Sequence, residues 1–183
     1  EAVRALRQAG VPADDARAGE VARRWMAQLQ QDTGGDPRLL LKLDRMHAGE
    51  PAMQASIGIE PALRDYVLAA FNETRVRLFE PYLTPAERAY LRANYAAHAA
   101  RWPALVGEVR DAIEAGHGPE SPVGLALARR WMALFRGYAG DDPATHARFR
   151  QAMAQEPALR ESSWLDEAVL GFLRQSTAAL TQA

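Results

Sequence analysis

Histidines and acidic residues are the first side chains in this sequence that could bind a metal. His47 and Glu50 are three residues apart, the spacing that places two side chains on one face of a helix. No H-E-x-x-H pair is present, and the four histidines fall on different predicted segments: His47, His98, His117 and His146. The sequence therefore predicts neither a metal nor a cofactor.

Nucleophilic catalysis has no visible residues either. The chain has no cysteine, which excludes thiolate nucleophiles, disulfides and cysteine-ligated zinc. It also has no G-x-S-x-G elbow and no glycine-rich phosphate loop. The carboxylate pairs Asp14-Asp15 and Asp141-Asp142 precede predicted helices, where capping accounts for them. We therefore expect a binding protein rather than an enzyme.

Aromatic residues are dense between positions 79 and 102. Tyr90, Asn94 and His98 recur every four residues, which places them along one stripe of a helix. Rings with polar tips suit a large, flat, amphiphilic ligand. The alternative is a packing helix that covers a neighbouring unit, a partner protein or a second protomer in a homodimer, with tyrosine tips reaching water.

The elements that would position these residues are repeated along the chain. Ala-Arg-Arg-Trp-Met-Ala around Trp25 recurs around Trp131, an offset of 131 − 25 = 106 residues. The same offset relates Gly10 to Gly116, and it relates further Gly, Asp-Pro and Glu-Pro landmarks. We expect both tryptophans to lie in equivalent core positions.

Helical periodicity and capping signals run through the whole chain. Asp15, Thr84-Pro85-Ala86-Glu87, Ser121-Pro122 and Asp142-Pro143 are typical helix starts. The predicted class is all-α, with one unit at 1–78, a connecting aromatic helix at 79–102 and a second unit at 103–183. Within these, helices are expected at 85–101, 103–115, 122–138, 143–154 and 164–180. The counterpart of the connecting helix in the first unit would lie upstream of Glu1.

The composition of the chain argues against two classes of binding partner, nucleic acids and membranes. The formal net charge is −1, which gives no electrostatic reason to bind nucleic acid or an anionic membrane. No apolar run approaches the roughly 20 residues of a membrane helix. We expect a cytoplasmic bacterial protein.

Several motifs together resemble the TipAS-type antibiotic-recognition domains. In the second copy these are Gly116-x-x-Pro119-x-Ser121-Pro122, the Arg-Arg-Trp-Met run, Gly140-Asp-Asp-Pro and Glu156-Pro157. The first copy has Gly34-Gly-Asp-Pro and Gly58-Ile-Glu-Pro-Ala-Leu. The duplication is similar to the tandem form found in albicidin-binding resistance proteins.

This resemblance implies a globin-like helical fold, joined by the long connecting helix, that closes around a large hydrophobic antibiotic. The chain would act as a free-standing resistance protein or as the effector domain of a MerR-type transcriptional regulator. Covalent capture of thiopeptides in this family uses a cysteine thiol, which this chain lacks. We expect non-covalent binding in a groove between the units. The residues predicted to line it are Tyr90, Asn94, Tyr95, His98, Trp102, Trp131, Phe135 and Tyr138.

Overall fold

The computed structural model describes residues 1–42, 60–161 and 163–182, and its regular elements in these ranges are all helical. This confirms the predicted all-α class. The α-helices are α1 (Ala2–Gln8), α2 (Ala16–Asp32), α3 (Pro61–Phe79), α4 (Pro85–Ala99), α5 (Trp102–Glu114), α6 (Pro122–Ala139), α7 (Pro143–Gln155) and α8 (Glu167–Gln182). Residues 37–42 are also helical, and Glu80–Tyr82 and Pro157–Leu159 form single 3₁₀ turns.

Side-chain caps begin the helices where the sequence predicts them. Asp15 accepts a hydrogen bond from a backbone N–H in the first turn of α2, and Ser121 and Asp142 do the same for α6 and α7. At the start of α4, Thr84 and Glu87 form both bonds of a capping box. These bonds are local in sequence, which is why residue types alone locate them.

The offset of 106 residues relates backbone features as well as residue types. Helices end at 8 and 114, and begin at 16 and 122 and at 61 and 167. Gly10 and Gly116 have φ values of 70° and 76°, and Gly34 and Gly140 have 59° and 74°. Only glycine adopts this left-handed region at no steric cost. The correspondences support the interpretation as two copies, while the landmarks at 50–52 and Gly58 lie outside the described residues.

Two clusters of buried side chains hold the helices together. The main core takes residues from both predicted units, among them Met26, Phe71, Val109, Leu127 and Phe172. The second cluster, here called the aromatic core, lies under the connecting helix α4. Its buried members are Val76, Phe79, Leu83, Leu91, Tyr95, Tyr138, Ala139, Phe149, Ala152 and Leu159.

The repeated tryptophans are placed alike. Trp25 and Trp131 are both half-buried and both pack against the main core. The arginines that precede them lie at the surface side of their helices. Arg24 bonds to Glu20 in α2, and Arg130 bonds to Glu108 in α5. Both indoles thus lie against the core, as expected. The arginines beside them form ion pairs with carboxylates on the same or a neighbouring helix.

Two predicted helix bounds are wrong by a few residues. The helix expected from 164 begins at Glu167, because Trp164 has a φ of 55° and leaves the right-handed helical region. Asp166 caps it by accepting a bond from the Val169 backbone N–H. The connecting helix ends at Ala99 rather than Arg101, and α5 begins at Trp102. Pro103 lacks an N–H and suits the first turn of that new helix.

Glu87 ties the start of α4 to α7. Its carboxylate accepts bonds from the Thr84 backbone N–H and from Arg148, both at 2.7 Å, and from the Thr145 hydroxyl. Burial alone would raise the pKa of Glu87. These bonds lower it by more than burial raises it, so the pKa is about 2. A carboxyl group with a depressed pKa stabilises the fold while ionised. This stabilisation is complete above the ordinary pKa of 4.5 and is lost as the pH falls toward 2.

Glu87→Gln is expected to lower the free energy of unfolding by about 2 kcal/mol at neutral pH, since charge-assisted hydrogen bonds are lost. The difference from wild type should shrink as the pH falls from about 4.5 toward 2, because the wild-type carboxylate then loses its advantage. Urea denaturation across this pH range measures it. Asp65→Asn is the control, because Asp65 is 71% exposed and should change stability little. A Glu87→Gln effect that does not vary with pH would contradict the assignment.

Candidate binding site

The structure brings six of the eight predicted site residues together around the aromatic core. Tyr95 and Tyr138 are buried within it. The others are half-buried, namely His98, Trp102, Trp131 and Phe135. Asn94 is half-buried and Tyr90 is 46% exposed, and both lie further toward the start of α4. The predicted residues therefore form one cluster with two outlying members.

Ring contacts run continuously through this cluster. The centroids of Trp102 and Trp131 are 4.4 Å apart, and those of Tyr95 and Tyr138 are 5.2 Å apart. Trp102 lies 6.4 Å from Tyr138, and Phe135 lies 5.6 Å from Tyr138. Most of these pairs are tilted or edge-to-face, the geometry that aromatic quadrupoles favour. Within the cluster, Tyr95 and Tyr138 are buried, and Trp102, Trp131 and Phe135 are partly exposed.

The stripe on α4 is held by its own backbone. The Asn94 side-chain amide donates to the Tyr90 carbonyl at 2.8 Å, and His98 Nδ1 lies 2.8 Å from the Asn94 carbonyl. The imidazole of His98 rests on Gly137 of α6, where an added Cβ would lie 2.1 Å from Nε2. A glycine at this position is therefore what allows α4 and α6 to approach with the histidine between them.

Sequence reasoning missed several members of the cluster. Phe79 and Phe149 are buried with ring centroids 4.8 Å apart. His146 is buried, stacks 4.9 Å from Phe135, and lies 2.7 Å from the Gly140 carbonyl. Phe79 begins the aromatic-rich stretch but lies outside the α4 stripe, whereas Phe149 and His146 lie on α7, away from that stretch in sequence. Arg75 is the fourth missed residue, and its spacing carries no signal at all.

Arg75 adds a charged group to the aromatic cluster. Its Nε donates to the Tyr95 hydroxyl oxygen at 2.8 Å, and its guanidinium carbon lies 5.7 Å from the centroid of the Phe71 ring. Burial raises the pKa of the Tyr138 hydroxyl far above its ordinary value, and the neighbouring Tyr95 raises it further. Arg75 and a hydrogen bond with Trp102 act in the opposite direction. Tyr138 is therefore a neutral phenol at physiological pH, and its oxygen accepts the hydrogen bond from the Trp102 indole.

The described positions at the offset of 106 do not repeat this cluster. The residues that the offset of 106 aligns with Leu134, Phe135, Gly137 and Tyr138 are Gln28, Leu29, Gln31 and Asp32. Polar side chains replace the tyrosine and the glycine against which α4 packs. The aromatic core therefore joins α6 and α7 to the connecting helix and the end of α3, and the aligned positions of α2 do not repeat it.

Among the surface grooves formed by described residues, two lie beside the starts of α4 and α2. The larger, about 450 Å³, lies between the starts of α4 and α7 and is lined by Tyr90, Glu87, Gly140 and Arg148 among others. The smaller, about 270 Å³, lies between α2 and α3 and includes Arg23 and Arg77. Tyr90 is the predicted site residue that lines the larger groove. Charged side chains such as Glu87 and Arg148 also line this groove, whereas the buried members of the aromatic core are uncharged.

Within the described ranges, no three histidine or acidic side chains are grouped in a way that could hold a metal ion. The considered pair of His47 and Glu50 lies outside those ranges. None of the described helices combines the length and the apolar character needed to cross a membrane.

Comparison with known proteins finds a distant relative. No family model matches the chain. An albicidin resistance protein from Klebsiella oxytoca is 30% identical over 138 residues, which are 75% of this chain. The chain spans 62% of that protein's length. It is therefore a distant homologue of a protein named for resistance to an antibiotic.

Proposed function

We propose that this chain binds a large hydrophobic antibiotic of the albicidin type without covalent attachment and thereby contributes to resistance. The observation that carries the proposal is the 30% identity to an albicidin resistance protein over 75% of the chain. The tandem Gly, Asp-Pro and Trp landmarks extend it to the TipAS-type antibiotic-recognition domains. Sequestration is the mode of action that fits a chain with no catalytic motif.

The aromatic cluster has the chemistry that such a ligand requires. Trp102, Trp131 and Phe135 are aromatic side chains that are partly open to solvent. Rigid aromatic side chains supply contact area at low conformational-entropy cost. Arg75, Tyr95 and Tyr138 add hydrogen-bonding groups at the inner side. An amphiphilic aromatic ligand would stack on the rings and bond to the polar groups.

The mode of binding follows from composition. Without cysteine, the chain has no thiol to form an adduct with a dehydrated or electrophilic antibiotic. As a free-standing drug binder or as the effector part of a MerR-type regulator, it would make the same contacts with the ligand. The difference between these two forms is whether a DNA-binding domain belongs to the same polypeptide.

Titration of tryptophan fluorescence with albicidin tests the proposal. Trp102 and Trp131 are 4.4 Å apart between ring centroids, so a ligand stacked on either should change the emission. We expect a saturable change, and nanomolar binding would correspond to about −12 kcal/mol. The mass of the denatured protein should be unchanged, and expression in a susceptible strain should raise the inhibitory concentration of albicidin.

A hydrophobic antibiotic of unrelated structure is the matched control. It should cause no saturable change in tryptophan emission, and expression of the chain should not raise its inhibitory concentration. Absence of saturable albicidin binding by the folded chain would refute the proposed function. A mass increase that persists after denaturation would refute its non-covalent mode.

A further inference from the structure

Trp164 has a backbone conformation that a bulky residue rarely adopts. Its φ is 55°, and it is the only residue other than glycine with a positive φ in the described part of the chain. For a residue with a Cβ, steric clashes disfavour this left-handed region. The offset of 106 residues aligns Trp164 with Gly58 (164 − 106 = 58), and glycine adopts the region without strain. The second copy therefore has an indole at a position where the first copy has no side chain.

The indole of Trp164 lies within the main core. Trp164 is 6% exposed, and its Nε1 is buried without a hydrogen-bond partner among the described residues. A buried indole N–H usually finds an acceptor, because an unpaired buried donor is unfavourable. Both the backbone conformation and the N–H of Trp164 therefore oppose its buried position, while the apolar contacts of the ring favour it.

Arg110 of α5 fastens the backbone around Trp164. Its Nη2 donates to the Trp164 carbonyl oxygen at 3.3 Å and forms an ion pair with Asp166 at 2.8 Å. The same nitrogen lies 3.2 Å from the Gly35 carbonyl oxygen. Residues 163–166 belong to no helix. The stretch that carries the indole is therefore irregular, and a side chain of α5 holds it against the core.

We infer that the Trp164 indole is an internal plug, which fills an aryl-binding chamber in the second unit and is displaced when an aromatic ligand binds. The inference rests on the proposed function, since it assigns one uncharged aryl group of the antibiotic to the volume that the indole occupies. Trp102 and Trp131 of the proposed site pack against the same main core. Displacement relieves the left-handed φ and lets the unpaired Nε1–H reach water.

Arg110 controls how readily the plug is displaced. A ligand of this chamber binds only those chains whose plug is displaced, so its apparent affinity is reduced by the fraction of chains in that state. The bonds from Arg110 to the Trp164 carbonyl and to Asp166 lower this fraction. Removal of the guanidinium should therefore strengthen ligand binding, although it removes favourable bonds from the free protein.

The test titrates indole, a copy of the displaced group, against protein labelled with 5-fluorotryptophan and observed by fluorine NMR. Wild type should bind indole saturably, and the Trp164 resonance, identified by its absence in Trp164→Phe, should move toward its position in the unfolded chain. Trp164→Gly should bind indole at least about tenfold more tightly, and Arg110→Met about threefold more tightly, because less must be displaced. Arg130→Met is the matched control, since Arg130 pairs with Glu108 of α5 and should leave the affinity unchanged.

Circular dichroism verifies that each variant is folded, and the glycine variant can keep the φ of 55° without strain. Indole binding by Trp164→Gly but not by wild type would make the indole a fixed part of the core and overturn the plug. An unmoved Trp164 resonance in indole-saturated wild type, or equal affinities of wild type and Arg110→Met, also overturns it. If either variant does not fold, wild type and the other variant must still show the expected changes, and failure of either overturns the plug.

Albicidin is titrated against the same labelled proteins. The indole results support the plug even if albicidin is not bound and the proposed function therefore fails. Saturable albicidin binding that leaves the Trp164 resonance unmoved would overturn the plug, while the proposed function would stand. Albicidin binding that moves this resonance and is tighter in Trp164→Gly supports both.

Discussion

Trp131→Ala is expected to weaken albicidin binding at least about thirty-fold, which corresponds to about 2 kcal/mol for a central aromatic contact. Trp131 is half-buried and stacks on Trp102 with centroids 4.4 Å apart, so the substitution removes one face of the proposed aromatic wall. The measurement is a calorimetric titration of wild type and variant, each verified as folded by circular dichroism. Trp131→Phe should restore much of the loss, because it keeps an aromatic ring at the same place.

The repeat supplies a matched control in Trp25→Ala. Trp25 has the same neighbours in sequence, the same half-buried position and a similar contact with the main core. Both alanine variants should therefore lose comparable stability in urea denaturation, since each removes a partly buried indole. Only Trp131→Ala should lose binding, because Trp131 contacts Trp102 beside the aromatic core, whereas the positions near Trp25 that align with Gly137 and Tyr138 are polar. An affinity loss limited to Trp25→Ala would place the ligand in the first unit instead.

Features that depend on local bonds could be predicted from the sequence. The starts of α2, α4, α6 and α7 follow from Asp15, Thr84, Ser121 and Asp142, whose side chains bond to amides two or three residues away. The start of α8 differs from the prediction because Trp164, which is buried in the main core, has a left-handed φ that its residue type does not indicate. Tertiary packing there overrides the preference of a bulky residue for negative φ.

The candidate site could be predicted only in part, and helix geometry shows why. Tyr90 and Tyr95 were grouped by their closeness in sequence, but five residues turn a helix by about 140° beyond a full turn. The structure accordingly exposes Tyr90 and buries Tyr95. The i, i+4 spacing does keep Tyr90, Asn94 and His98 along one face, where each polar side chain bonds to the carbonyl four residues earlier, but only His98 of the three reaches the cluster. Arg75 could not be predicted, because its role depends on contacts with Phe71 and Tyr95 that only the fold creates.

Burial of Tyr95 also changes how the site must be probed. An alanine at this position would remove a buried ring 5.2 Å from Tyr138 and the acceptor for Arg75. Loss of binding in such a variant would then not separate ligand contact from loss of packing. Tyr95→Phe keeps the ring and removes only the hydroxyl, so it tests the hydrogen bond with Arg75 by itself. Half-buried residues such as Trp131 are the better positions for alanine.

Phe149→Ala is expected to lower the free energy of unfolding by about 3–5 kcal/mol, the range for removing a fully buried phenylalanine. Phe149 is 3% exposed, and its ring lies 4.8 Å from Phe79, 5.6 Å from Phe135 and 5.8 Å from Tyr138. It therefore joins α3, α6 and α7, and the cavity left by alanine would be bordered by rigid rings that cannot collapse into it. Urea denaturation in the absence of ligand measures the effect.

Two control variants help to decide whether the aromatic core is packed or open in the free protein. Phe149→Leu should lower stability by less than about 1.5 kcal/mol, because it keeps most of the apolar volume. Val123→Ala, at a position 38% exposed in the same unit, should stay within about 0.5 kcal/mol of wild type. A loss below about 1 kcal/mol in Phe149→Ala would mean that the ring packs against little in the free protein. The inner side of the cluster would then be an open ligand cavity, whereas the expected large loss identifies it as the packed support that holds Trp102, Trp131 and Arg75 in place.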